Sequence, residues 1–119
     1  MDSAAARLKM LEDDYNTQNA QKISENFTDN AEVRFGTVFL SGREAVRNFP
    51  LEEFSVKKSY RLTLDLWGAL KGRMAVRFEI SWADPHGQAY RSYGVQVFQF
   101  SEESLIEMNF ASVNDQALG

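Results

Sequence analysis

The feature that most constrains this chain is the stretch from Tyr60 to Asn114, where four segments of strand-forming residues follow one another with only short turns between them. Tyr60 to Leu70, Arg73 to Ala83, Gln88 to Phe100 and Leu105 to Asn114 read as strands, and connections this short admit only antiparallel hairpins. Asp84-Pro85-His86-Gly87 is the strongest turn among them. A three-residue loop closing on Gly87 pairs Trp82 with Tyr90, Ile80 with Ser92 and Phe78 with Gly94, so that Phe78, Ile80 and Trp82 share one face.

Carrying that face through a turn at Ser101 to Glu103 pairs Phe98 with Ile106, Gln96 with Met108, Gly94 with Phe110, Ser92 with Ser112 and Tyr90 with Asn114. The face is apolar at one end. At the other, Tyr90, Ser92, Ser112 and Asn114 gather beside Trp82, with Gln96 further along, the composition of a pocket mouth lined by hydrogen-bonding groups. The opposite face carries Arg77, Glu79, Arg91, Tyr93, Val95 and Val97, joined from the last strand by Glu107, Asn109, Ala111 and Val113. Charges alternating with Val and Tyr suit a second subunit packed on this outer face.

The first part of the chain is helical. Leu8, Leu11 and Tyr15 recur at steps of three and four, and Ile23 and Phe27 repeat the step after a polar break, giving helices from Ser3 to Asn16 and from Ala20 to Phe27, the second capped by Asn19. Thr28-Asp29-Asn30 reads as a turn, Ala31 to Phe35 and Thr37 to Leu40 as short strands around Gly36, and Ser41-Gly42 as the opening of a third helix that Pro50 stops. Helices first and a meander second make an α+β fold, and 119 residues suffice for one domain spanning 1–119.

Thirteen Lys and Arg against seventeen Asp and Glu leave a net charge of −4 with no basic block, which argues against nucleic acid and anionic membrane as partners. With no Cys and one His the chain lacks thiolate nucleophiles and the usual transition-metal ligand sets, so neither a metal nor another cofactor is expected. The start, Met1 to Met10, carries Asp2, Arg7 and Lys9 without an apolar run and does not have the pattern of a signal peptide; a cytoplasmic protein is expected. His86 sits in the hairpin turn, away from any nucleophile.

The order of elements, with Gly42-Arg43-Glu44-Ala45-Val46 opening the third helix, resembles the nuclear transport factor 2-like (SnoaL-like) superfamily over nearly the whole chain. Tyr60-Arg61-Leu62, Leu66-Trp67, Ala75-Val76-Arg77-Phe78, Gly87-Gln88, Arg91-Ser92-Tyr93-Gly94 and Ala111-Ser112-Val113-Asn114-Asp115 resemble an uncharacterised branch of it. The resemblance implies a curved antiparallel sheet wrapped around the N-terminal helices as a cone with an internal cavity, a cystatin-like α+β barrel, and a homodimer through the outer sheet face. Two stretches depart from the branch: Val95-Gln96-Val97 replaces polar residues, and Glu107-Met108-Asn109 replaces a basic cluster, which implies a changed ligand or a lost reaction.

Within the superfamily, ketosteroid isomerases use a carboxylate near the first strand, where this chain has Val33-Arg34-Phe35-Gly36. Limonene epoxide hydrolases use an Asp, Arg, Asp set, whose residue types Asp65, Arg77 and Glu79 imitate, although strand parity turns Arg77 and Glu79 away from Phe78 and Trp82. Asp65 and Asp115 are carboxylates that would act as bases if enclosed, and Arg34 would bind an acidic ligand if it pointed into the cone. No catalytic residue is assigned. The expectation is a cone that binds a small hydrophobic or amphipathic molecule through Trp82, Tyr90, Ser92, Gln96, Ser112 and Asn114. The alternatives are a cofactor-free lyase, isomerase or hydrolase working by general acid and base, and an interaction module whose cavity is filled by its own Phe side chains.

Overall fold

The structure, a computed structural model, describes residues 3–119. Ser3 accepts a hydrogen bond from the Ala6 amide and caps α1 (Ala4–Asn16); Asn19 accepts one from the Lys22 amide and caps α2 (Ala20–Glu25). Then come β1 (Phe27–Phe35), β2 (Val38–Ser41), α3 (Arg43–Val56), β3 (Lys58–Leu70), β4 (Arg73–Ala83), β5 (Ala89–Phe100) and β6 (Ile106–Ala117). The six strands form one curved, unclosed sheet in the order β2-β1-β6-β5-β4-β3, with the helices on its concave side. All neighbours are antiparallel except β1 and β6, which run parallel, so the expected antiparallel sheet is a mixed one. Among the described residues no helix is long and apolar enough to cross a membrane.

Two breaks read from the sequence are not breaks. Thr28-Asp29-Asn30 lies inside β1, where Asp29 forms an ion pair with Arg43 at 2.8 Å and the Arg43 guanidinium also donates to the Phe27 carbonyl. Pro50 lies inside α3. A proline there forgoes the bond to the Val46 carbonyl, a cost of about 3 kcal/mol in an isolated helix, but its ring is buried on the concave side and offsets part of that loss.

The core is formed by Leu8, Leu11, Ile23, Phe27, Val33, Val46, Met74, Val76, Phe98 and Ile106, with a second cluster of Leu62, Phe78, Ile80 and Ala111 beside it. The edge strand β3 is protected from its concave side. Asn16 donates to the Leu62 carbonyl at 2.8 Å and accepts from the Leu62 amide at 2.7 Å, and Glu12 accepts from the Leu64 amide at 2.8 Å. Side chains of α1 thus satisfy backbone groups that an edge would leave open.

The β4/β5 register agrees with the sequence reading: Trp82 pairs with Tyr90, Ile80 with Ser92 and Phe78 with Gly94. Asp84 Oδ1 accepts from the amides of His86 and Gln88, and Gly87 takes φ of 90°, which closes the turn. The β5/β6 register does not agree. Phe98 pairs with Asn109, Gln96 with Ala111, Gly94 with Val113 and Ser92 with Asp115.

Two local features produce this difference. The turn is centred on Glu103 rather than Glu102, the Ser101 amide donating to the Leu105 carbonyl, and Phe100 pairs with Ile106 while Gln99 pairs with Met108, so Glu107 is an extra residue on β6. That bulge, with Gln99 donating to Glu107 at 2.7 Å, reverses side-chain parity beyond it. Ile106 points inward, but Met108, Phe110, Ser112 and Asn114 fall on the outer face, and Asn109, Ala111, Val113 and Asp115 on the inner one.

Candidate functional site

Between α1, α3 and the concave face of the sheet lies a cavity of about 60 Å³. Its wall is made by apolar residues from every layer: Leu11 of α1, Val33 and Phe35 of β1, Val46, Phe49 and Pro50 of α3, Leu62 and Leu64 of β3, Phe78 and Ile80 of β4 and Phe98 of β5. Phe35 joins the layers, its ring centre 5.7 Å from Phe49 and 6.2 Å from Phe78. Gly94 makes room for this arrangement. A Cβ on it would lie 2.3 Å from Phe78 Cζ and 2.4 Å from the Ser112 carbonyl oxygen.

Four polar side chains interrupt the apolar wall: Tyr15, Tyr60, Gln96 and Asn109. Asn109 is only 8% exposed, and its Oδ1 is buried with no hydrogen-bond partner among the described residues. The β6 bulge turns it inward, beside Phe98 on one side and Val33 on the other. Burial pushes the Tyr15 phenol up to about 12, and it pushes Tyr60 well above the usual tyrosine range, with further contributions from the negative charge of an ionised Tyr15 and of Glu53. Both phenols therefore stay protonated at neutral pH and act as hydrogen-bond donors. No charged side chain lines the cavity among the described residues.

Trp82, Tyr90 and Ser92 come together at one end of the sheet as the sequence suggests. Trp82 stacks on Tyr90 with ring centres 4.4 Å apart, its indole donates to Ser92 Oγ at 2.9 Å, and Ser92 donates to Asp115 Oδ1 at 2.5 Å. Lys57 Nζ, ion-paired with Glu53 at 2.6 Å, sits 4.8 Å above the Trp82 ring. These groups satisfy one another and tie the end of α3 to β4, β5 and β6.

Of the other candidates, Gln96 lines the cavity, whereas Ser112 and Asn114 do not join the cluster; both are exposed on the outer face, and Asp115 takes the place expected of them. The residues that sequence reading missed are Asn109, assigned there to the outer face, and Tyr15 and Tyr60, read only as parts of a helix stripe and a strand. A phenol on the otherwise apolar stripe Leu8, Leu11, Tyr15 is the signal that was present for one of them.

Of the two carboxylates considered as bases, Asp65 lies outside the cone, and Asp115, although on the inner face, is exposed, accepts from Ser92 and does not line the cavity. Asp65 pairs across the strands with Arg77 and accepts from the Trp67 indole at 3.2 Å, and Arg77 bonds Glu79 at 3.1 Å, all on the convex face. Arg34 is on that face too, beside Phe39 and Phe110 in the strand register, so it does not point into the cone. His86 is exposed in its turn.

The convex face also bears Trp67, Val95 and Val97, which are 72%, 60% and 52% exposed, and Phe110. Two shallow hollows of about 640 and 560 Å³ lie across it, larger than the internal cavity but open to solvent.

No curated protein sequence matches the chain. In fold it is similar to the epoxide hydrolase/cyclase-like enzyme SalBIII of pyran ring formation in the polyether salinomycin, with a TM-score of 0.82 and 18% identity over 99% of this chain and 100% of that one. It is similar as well to an NTF2-like protein of unknown function from Exiguobacterium sp. 255-15, with a TM-score of 0.79 and 13% identity over 91% of this chain and 98% of that one. The fold is thus that of the nuclear transport factor 2-like (SnoaL-like) superfamily, an α+β cone. A family model described as "Protein of unknown function (DUF1348)" matches residues 1–119, and the chain belongs to that uncharacterised family.

Proposed function

We propose that this protein binds a small, uncharged, largely apolar molecule in the interior of the cone. The observation that carries the reading is the cavity wall itself, which is apolar apart from two amides and two phenols and offers no charge to pair with an ionic ligand. A space of about 60 Å³ corresponds to roughly four water positions, enough for a ligand portion of about five heavy atoms. Binding fits better than acid–base catalysis, because the cavity wall supplies no carboxylate or imidazole and its two phenols, held protonated by burial, do not abstract a proton at neutral pH.

The test uses three compounds of one size and shape. Isopropanol, acetate and isopropylammonium are titrated at millimolar concentrations while the amide and methyl resonances of the cavity residues are followed by NMR. Saturable shifts at Leu62, Ile80 and Val33 with the neutral compound alone support the reading; equal or stronger effects from either ion refute it.

The convex face supports a second reading, a homodimer through the outer side of the sheet. Trp67, Val95, Val97 and Phe110 form an apolar surface that a monomer would leave in water. Sedimentation of the wild type and of Val97→Asp tests it, a dimer that the substitution converts to monomer being the expected result and a wild-type monomer at high concentration the refuting one.

A further inference from the structure

One acceptor of the cavity wall, Asn109 Oδ1, is fully buried without a hydrogen-bond partner among the described residues. A buried acceptor left unpaired costs stability, and most in a cavity whose wall is otherwise apolar. From this we infer that the ligand carries a hydroxyl and donates it to Asn109: the site is one for an alcohol rather than for a ketone, ether or hydrocarbon of the same shape. The inference rests on the cone-interior reading above and specifies its ligand class.

Donors and acceptors in the cavity wall set the ligand class. The phenols of Tyr15 and Tyr60, held protonated by burial, line the same space and present donors, while Asn109 Oδ1 presents an acceptor. A carbonyl oxygen can accept from the phenols and from the amide N–H groups of Asn109 and Gln96 but leaves Asn109 Oδ1 without a donor. A hydroxyl does both, replacing what water would do there, and it brings an apolar body that fits the Val33, Leu62 and Ile80 wall. A molecule that displaces the water without replacing its donated bond forfeits affinity.

The experiment compares isopropanol with acetone on the wild type and on Asn109→Leu, a substitution of similar size that removes the acceptor. Dissociation constants are read from NMR shifts at the cavity residues, and thermal midpoints are taken without ligand. In the wild type isopropanol is expected to bind at least about tenfold more tightly than acetone, the ratio that corresponds to one buried hydrogen bond left unmade. In Asn109→Leu the preference is expected to vanish and the midpoint of the free protein to rise, because the unpaired group is gone.

Equal affinities in the wild type, or a preference for acetone, would overturn the inference while leaving a neutral-ligand cavity standing. If neither compound shifts the cavity resonances, both readings fail. A preference that persists in Asn109→Leu would overturn the assignment to Asn109, and the wild-type comparison decides the ligand class even if the variant does not fold.

Discussion

Replacing Gly94 by alanine tests the interior packing and the β5/β6 register together. The added Cβ would lie 2.3 Å from Phe78 Cζ and 2.4 Å from the Ser112 carbonyl oxygen, whereas carbon atoms in contact sit about 3.5 to 4.0 Å apart, so each neighbour would have to retreat by about 1 Å or more. Phe78 is 2% exposed and lines the cavity, the space into which its ring would move; the carbonyl belongs to the sheet ladder and has less freedom still. Overpacking of this kind costs about 1 to 3 kcal/mol, and a backbone neighbour places it near the upper end. Alanine recovers about 0.5 to 1 kcal/mol by restricting the unfolded chain, which leaves a net loss of about 2 kcal/mol.

Urea denaturation of the wild type, Gly94→Ala, Phe78→Leu and the double variant measures this as a cycle. The shorter side chain at Phe78 should relieve the ring clash but not the carbonyl clash, giving a coupling of about 1 kcal/mol. A Gly94→Ala protein as stable as the wild type, or a cycle with no coupling, would mean that Phe78 does not cross β5 at Gly94 and would refute the packing described here.

Three further outcomes are expected. Asn16→Ala leaves the Leu62 amide and carbonyl on the β3 edge without their partners, so a loss of about 1 to 3 kcal/mol in urea denaturation is expected, with faster aggregation by light scattering. Ser92→Ala removes the acceptor of the Trp82 indole and should cost about 1 to 2 kcal/mol while leaving the cavity's affinity for isopropanol unchanged, since the cluster lies outside the cavity wall. Alkaline stability should fall from pH 10 upward: the unfolded chain releases the Tyr15 proton near 10 and the folded one near 12, so between those values the unfolded state holds fewer protons and is increasingly favoured, by roughly 3 kcal/mol in all, with Tyr60 adding in the same direction. Denaturation midpoints across this range, with tyrosinate absorbance as the companion signal, check it; stability flat to pH 12 would contradict the burial of both phenols.

How much of this could be read from the sequence depended on whether a feature was local. The Asp84 to Gly87 turn carries its own chemistry, an Asp accepting two amides and a Gly at positive φ, and the β4/β5 register follows from it residue by residue. The helix starts at Ser3 and Asn19 are equally local, each cap bonding an amide three residues on. The bulge at Glu107 has no such mark, because an extra residue in a strand is set by what lies on both sides of it. One residue of slip there moved Ser112 and Asn114 out of the predicted mouth and brought Asn109, with its buried acceptor Oδ1, into the cone. Pro50 is the converse case, a strong local signal for ending a helix overridden because its ring is buried against the concave side.

The most direct test of the central claim is to locate a bound neutral molecule. Intermolecular nuclear Overhauser effects between isopropanol and the protein are expected to the methyl groups of Val33, Leu62 and Ile80 and to the rings of Phe35 and Tyr15, all of which line the interior. Effects confined to Trp67, Val95, Val97 and Phe110 would put the molecule on the convex face and contradict the account.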